Sequence, residues 1–276
     1  MGSFKEIKTV FIGDIAFNTD ITPTKEQTSI GGAAYYSSVG AISAHREISK
    51  NPGVGIVAPV GDDFDISYLL NKNINSQGVL VIQGGKTCRF ILTQHSDNTR
   101  EFSAKRFVAE QVNSAIFPQS YFSAKYIHLS TSLPQNYVAW IEFLSCKTNA
   151  IISADAFETF ALQFPQESIS ALNMSDLIFI NEAEANILEK HGTVRTDIPW
   201  VLKKGRGGAT YIHGTKEINV KAAKVNAIET TGAGDVLAGA FLALLSNGYE
   251  IEQALTTAVN IASLSVTQFG VEHLIS

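Results

Sequence analysis

Short apolar runs recur along the chain, each followed by a polar or amphipathic stretch, and this spacing predicts strands alternating with helices. "KTVFIG" (Lys8 to Gly13) is a β-branched run ending in glycine; after a polar loop, "GGAAYYSSVGAISAH" (Gly31 to His45) is built from small, helix-compatible residues. "VGIVAPVG" (Val54 to Gly61) reads as a second strand, and "DDFDISYLLNKN" behind it supplies an acidic first turn and an amphipathic helix. "KYIHLS" (Lys125 to Ser130), "AIISAD" (Ala150 to Asp155), "DLIFIN" (Asp176 to Asn181) and "PWVLKKG" (Pro199 to Gly205) continue the series. Such alternation predicts an α/β protein whose sheet is mostly parallel and covered on both faces.

From Val79 to Phe107 the period changes. "VLVIQGGKTCRFILTQHSDNTREFSAKRF" alternates around the turn signals Gly84-Gly85 and Asp97-Asn98, which predicts antiparallel hairpins. We read residues 79–107 as a small β lid inserted into the main body or standing off it. "ATYIHGTKEINVKAA" (Ala209 to Ala223) predicts another hairpin, turning near Gly214, at a sheet edge. No repeat, low-complexity tract or Pro/Gly/Ser-rich linker divides the sequence, so residues 1–276 are expected to form one domain carrying that lid.

Composition narrows the partners. With 45% hydrophobic and 17% charged residues the chain can bury a large core, and a formal net charge of −5 offers no basic field for nucleic acid or an anionic membrane surface. Small molecules are the expected ligands. No apolar run approaches the roughly 20 residues of a membrane-spanning helix, and "MGSFKEIKTVFIG" lacks the longer apolar region of a signal peptide, so the expected address is the cytoplasm. Cys88 and Cys146 belong to no CxxC or Cys/His cluster and are expected as two reduced thiols in a core.

Candidate chemistry concentrates in "ETTGAGDVLAGAFLALL" (Glu229 to Leu245), where two threonines, two glycines and an aspartate precede a strongly apolar helix. A helix start needs one capping side chain, and Asp235 alone would supply it. The glycines ask for more. A glycine turn feeding a helix N-terminus aims backbone N–H groups at one place, where the helix dipole adds positive charge, and so makes an anion hole. Gly232, Ala233 and Gly234 are small enough for a phosphate to approach, but a carboxylate beside an anion is repelled by it. If the anion is a transferring phosphoryl group, Asp235 has its reason as the general base next to the attacking hydroxyl. The plain structural reading, an N-cap and a tight turn, weighs equally on these residues alone.

The longer string "TTGAGDVLAGAF" resembles the C-terminal signature of the ribokinase-like carbohydrate kinases, the PfkB family. Further along-chain matches are Gly13-Asp14 closing the first strand, the pair Gly31-Gly32, "VGDD" at Val60 to Asp63, "NEAE" at Asn181 to Glu184, "KKGRGG" at Lys203 to Gly208, and the final helix "ALTTAVNIASLSVTQFG". The resemblance covers essentially the whole chain. It implies a three-layer α/β/α ribokinase-like fold with a β lid, ATP or another purine nucleotide as donor, and transfer of the terminal phosphate to an alcohol of a sugar, nucleoside or similar small acceptor.

Carried over by position, the resemblance makes Asp235 the catalytic base and the N–H groups of Ala233, Gly234 and Asp235 the hole for the transferring phosphoryl. By themselves Asn181 and Glu184 read first as a capping box; with the downstream signature they match the Asn-x-x-Glu that organises Mg²⁺ and its waters, and the two roles can coexist. Gly205 and Gly208 match the nucleotide-side loop, which is not a Walker A sequence. Lys203 stands where relatives often have Thr, as a phosphate contact or merely a solvated side chain. Asn260 falls where relatives line the adenine pocket.

On the acceptor side Asn18 replaces the usual sugar-binding Asp and Tyr36 replaces a usual Asn, so the acceptor class, sugar or nucleoside, stays open with a slight lean to sugar. Gly31, Gly32 and Asp14 complete the candidate acceptor set, Asp14 with strand-end capping as the competing role. Arg89, Arg100 and Arg106 lie in the lid without a singled-out ligand contact, and His128 is read as a core histidine. Glu229 replaces the Asp of the family's monovalent-cation loop, which leaves a potassium requirement open. Lids of this kind pair between subunits in some relatives, which implies a homodimer through the lid. Two rival readings are a catalytically idle nucleotide or sugar sensor and a dinucleotide oxidoreductase. The second lacks the GxGxxG after the first strand, since "GDIAFN" supplies only Gly13.

Overall fold

The computed structural model describes residues 6–46, 53–95 and 100–276; the turn expected at Asp97-Asn98 and the side chains of Arg100 and Phe102 lie outside the described residues. Its strands are β1 (Thr9–Ile12), β2 (Ala16–Ile21), β3 (Glu26–Gly31), β4 (Val54–Gly61), β5 (Ile74–Ile82), β6 (Cys88–Gln94), β7 (Arg100–Lys105), β8 (Tyr126–Leu129), β9 (Ile151–Asp155), β10 (Leu177–Asn181), β11 (Trp200–Lys203), β12 (Ala209–His213) and β13 (Lys216–Val220). Its helices are α1 (Ala33–Arg46), α2 (Ser67–Asn71), α3 (Pro134–Ser145), α4 (Glu158–Gln163), α5 (Pro165–Met174), α6 (Glu182–Glu189), α7 (Ala233–Ser246) and α8 (Ile251–Ser265).

Nine strands form the main sheet in the order β13-β12-β11-β10-β9-β8-β1-β4-β5. It is parallel from β11 to β5, and β12 runs antiparallel to both of its neighbours, β11 and β13. The central strands β1 and β4 are buried along their whole length, as continuous apolar runs require when helices cover both faces. Alternate residues feed two cores: Phe11 packs with α1, α7 and α8, while its neighbours Val10 and Ile12 pack on the other face with α3, α5 and α6. The three layers expected from the alternating pattern are present.

The lid differs from the expectation. It is a four-stranded sheet ordered β3-β2-β6-β7, in which two antiparallel hairpins meet through the parallel pair β2–β6. Its first hairpin, residues 16–31, is the stretch read above as a polar loop. Residues Val79–Ile82, placed in the lid from sequence, belong instead to β5 in the main sheet, parallel to β4. Period-2 alternation marks a strand but not the sheet that receives it. The helix expected over 62–73 shrinks to the five residues of α2. Cys88 is buried in the lid's small core, but Cys146 is exposed, so only one thiol follows the core reading.

Helices α1 and α7 cross in backbone contact. A Cβ on Gly239 would stand 1.8 Å from the Ser37 carbonyl oxygen, and one on Gly40 would stand 2.2 Å from that of Val236. No side chain fits at either crossing point. The N-terminus of α1, which follows directly from the lid, is thereby locked to the N-terminus of α7.

Candidate active site

Three neighbouring parallel strands, β9, β10 and β11, end at one edge of the sheet in Asp155, Asn181 and Lys203. Carboxyl ends of parallel strands are where open α/β sheets place their ligand sites. A cleft of about 870 Å³ opens there, walled by Asn181, Lys203, Gly205 and Gly208 on one side and by Thr230, Ala233 and Gly234 on the other. Its lining is apolar at Ala222, Ala223, Val259, Ala262 and Val266 and basic at Lys203, Lys204, Arg206 and Lys224. That pairing suits a flat base joined to a polyanion. Asn260 is exposed and is not part of the lining; Val259 and Ser263, on either side of it in sequence, are.

The glycine turn sits at the meeting point of cleft and lid. Gly232 is the N-cap of α7 in the left-handed region (φ +78°), with no side chain capping the helix. Asp235 is therefore not the cap: it is the third residue of the helix. Ala233 N–H donates to the Thr230 carbonyl at 3.3 Å, closing the turn, whereas Gly234 and Asp235 lie in the first helical turn, where N–H groups have no intrahelical acceptor. A Cβ on Gly232 would strike the Tyr36 ring at 2.2 Å, and one on Gly234 would lie 3.4 Å from Lys203 Nζ. The turn thus lies between Tyr36 of α1 and Lys203 of β11.

Charge is concentrated here. Lys203 Nζ is ion-paired to Asp155 Oδ1, with both side chains largely buried. Burial works against the Lys203 charge, but Asp155 and Glu184 outweigh it and hold the ammonium above the ordinary lysine value. Asp235 keeps partial solvent access. Burial pushes its carboxyl up to about 8; Asp155 and Glu184 push the same way and Lys203 opposes them. Glu184 is pushed up to about 7, again mainly by burial, with Lys203 pulling against it. Asn181 and Glu184 form the capping box of α6: Glu184 N–H donates to Asn181 Oδ1 at 2.9 Å and Asn181 N–H to Glu184 Oε2 at 2.8 Å. Among the described residues no group of three or more His, Cys, Asp or Glu side chains is placed to cage a metal.

The acceptor-side candidates gather under the lid. Asn18, on β2, donates from Nδ2 to the Tyr36 hydroxyl at 2.6 Å, and Asn18 Oδ1 is buried without a partner among the described residues. Burial, then Glu229 and Asp235, push the Tyr36 phenol up, which places that ring within the field of Asp235. Gly31 backs onto the Asn18 side chain and Gly32 onto the Asp14 carbonyl. Asp14 is buried at the end of β1 and paired to Arg106 at 3.1 Å; burial raises its carboxyl to about 6 although Arg106 pulls it down. Arg89 pairs with Asp63 at 2.9 Å and lies over the Phe17 ring. Glu229 accepts from Gly270 N–H at 3.4 Å. His128 lies in the core between Phe11 and Phe179, where burial lowers it to about 3 and keeps it neutral. Asp155 was missed from sequence; its only signal was an acidic residue closing the apolar run "AIISAD".

The family model of pfkB family carbohydrate kinases matches residues 15–275. A cytidine kinase of Thermococcus kodakarensis is 24% identical over 277 residues, covering 95% of this chain and 96% of that one. An ATP-dependent ribose-1-phosphate kinase of Halopiger xanaduensis is 25% identical over 260 residues, covering 89% and 83%. Among solved structures, the nucleoside kinase of Methanocaldococcus jannaschii, a member of the ribokinase family, superposes with a TM-score of 0.82 at 20% identity over 98% of this chain and 95% of that one. The glycine turn and its carboxylate therefore stand inside a match that spans nearly the whole sequence, and the chain belongs to the pfkB family of carbohydrate kinases, phosphotransferases that act on a hydroxyl acceptor.

Proposed function

We propose that the protein transfers the terminal phosphate of ATP to a hydroxyl of a small sugar-like acceptor, with Asp235 as general base. The observation that carries this reading is the glycine turn that places Asp235 at the head of α7, with Gly232 against Tyr36 on the lid side and Gly234 beside Lys203 on the cleft side, and with Asp235 within electrostatic reach of both. The nucleotide lies in the cleft, its base against the alanines and valines and its phosphates toward Lys203 and the Gly205–Gly208 loop. The acceptor lies under the lid beside Asn18, Tyr36 and Asp14.

In the transfer, the acceptor hydroxyl oxygen bonds to the terminal phosphorus as the bond from phosphorus to the ADP oxygen breaks. Asp235 takes the hydroxyl proton. A carboxyl raised to about 8 is a stronger base than an ordinary aspartate, which suits it to an alcohol proton. Charge on the phosphoryl oxygens meets the N–H groups at the start of α7 and the Lys203 ammonium.

The oxygen donors near the phosphates fit Mg²⁺ of the kind that keeps its waters: Glu184 has one carboxylate oxygen outside the capping bond, and Asn181 lines the cleft beside it. Bound there with the phosphates, the ion would neutralise their charge.

A nucleoside as acceptor is the second reading. It is favoured by the cytidine kinase, which matches this chain end to end, and by the Tyr36 ring beside the turn.

Asp235→Asn tests the assignment. Turnover is expected to fall about 10³-fold, within the range that general bases supply, with ADP affinity unchanged within threefold. Near-normal turnover would remove Asp235 from the mechanism. Tight nucleotide binding by the unaltered protein, with no turnover on any acceptor, would favour an idle sensor.

A further inference from the structure

We propose that Asp155 is a positioning residue for phosphoryl transfer, holding the Lys203 ammonium beside Gly234 at the edge where the donor's phosphates enter. The inference rests on reading the cleft as the donor site. It goes beyond that reading because Asp155 does not line the cleft and acts only through Lys203.

The anchor is well built. Asp155 closes β9 with 2% of its surface exposed, and its backbone carbonyl accepts from the Tyr137 hydroxyl at 2.9 Å. The backbone that carries its carboxylate is therefore held in place independently of Lys203. Lysine carries its charge on a flexible stem of four carbons, and three carboxylates compete for this one: Asp155, Glu184 and Asp235 all act on it. Only Asp155 is in hydrogen-bonding contact. If Lys203 turned to Asp235, it would neutralise the base; if it turned to Glu184, it would leave the glycine turn. Held by Asp155, the ammonium stays beside Gly234, 3.4 Å from where a Cβ there would stand, and its ion pair is with Asp155 and not with the Asp235 carboxylate.

Stability alone does not account for the pair, because buried ion pairs are commonly replaced by apolar side chains without loss. The pair also stands where charge has a use: Lys203 walls the cleft.

A double-mutant cycle on the full chain tests this, using ATP kinetics of Asp155→Asn, Lys203→Met and the double variant, with ADP titrations in parallel. Asp155→Asn is expected to raise the KM for ATP about tenfold and to lower kcat about tenfold, and Lys203→Met to do at least as much. The double variant should match Lys203→Met within threefold, since an anchor without its lysine has nothing to hold. A merely structural aspartate would cost the same factor in both backgrounds, and that result would overturn the proposal while leaving the donor cleft in place. Wild-type ATP kinetics in Lys203→Met would instead remove the phosphate role of Lys203, and the anchor with it. Asp155→Ser serves as a second variant if Asp155→Asn fails to fold: a tenfold weaker ADP affinity is expected, and unchanged affinity would contradict the proposal.

Discussion

In the proposed function, the donor side and the acceptor side of the site are built in opposite ways. The donor side is made of strand ends, a glycine turn and small side chains, with Lys203 fixed by Asp155. The acceptor side is made of side chains that hold one another across elements: Asn18 on the lid holds Tyr36 on α1, and Arg106 holds Asp14. A backbone-built site recognises what all nucleotides share, whereas a side-chain-built site can change its ligand by single substitutions. The departures from the family pattern fall on this second half, at Asn18 and Tyr36. Gly232 is where the halves touch, since Tyr36 packs directly against it.

That contrast can be broken first at the junction. Gly232→Ala forces a side chain into φ +78° and against the Tyr36 ring at 2.2 Å. We expect turnover to fall about 10²-fold, comparable to the loss of one oxyanion donor, and stability to fall by about 1–3 kcal/mol for the strained backbone. Turnover and melting temperature measured on one sample check this; a neutral outcome in both would show that the turn does not depend on glycine.

The next effect is on pH dependence. A base must be ionised, and burial raises Asp235 to about 8, so kcat/KM is expected to drop about tenfold for each pH unit below 8 and to level off above it. A profile flat from pH 6 to 9 would separate Asp235 from proton transfer.

The smallest effect belongs to the acceptor side alone. Asn18→Ala removes the hydrogen bond to the Tyr36 hydroxyl and is expected to raise the acceptor KM about fivefold, the scale of one neutral hydrogen bond, while leaving the KM for ATP unchanged. Equal shifts in both KM values would erase the division between the two halves.

The two halves also differed in how far they could be read from sequence. The main-sheet strands and the α7 turn were legible because continuous apolar runs and a dense glycine signature leave few alternatives. The hairpin of residues 16–31 was not: "AFNTDI" and "EQTSIG" are polar strands, half-exposed in the lid, and carry no clean apolar face. The alternation in Val79–Ile82 marks an extended segment but not its place in the main sheet beside β4, because local alternation says nothing about a distant partner. Lys203 was singled out in the sequence, but its ion partner lies 48 positions away, and no local signal links Asp155 to it. Asn260 shows the limit on a helix: one step along the chain turns a side chain out of the cleft that Val259 and Ser263 line.

Phosphoryl transfer to a small hydroxyl acceptor held between lid and α7 is the central proposal for this protein. The most direct measurement is ADP formation from ATP and Mg²⁺ across a panel of sugars, sugar phosphates and nucleosides, with a control lacking acceptor. The account predicts ADP release that depends on one acceptor class and yields a stoichiometric phosphate ester of it. ADP released at the same rate with and without acceptor, and no ester formed, would contradict it.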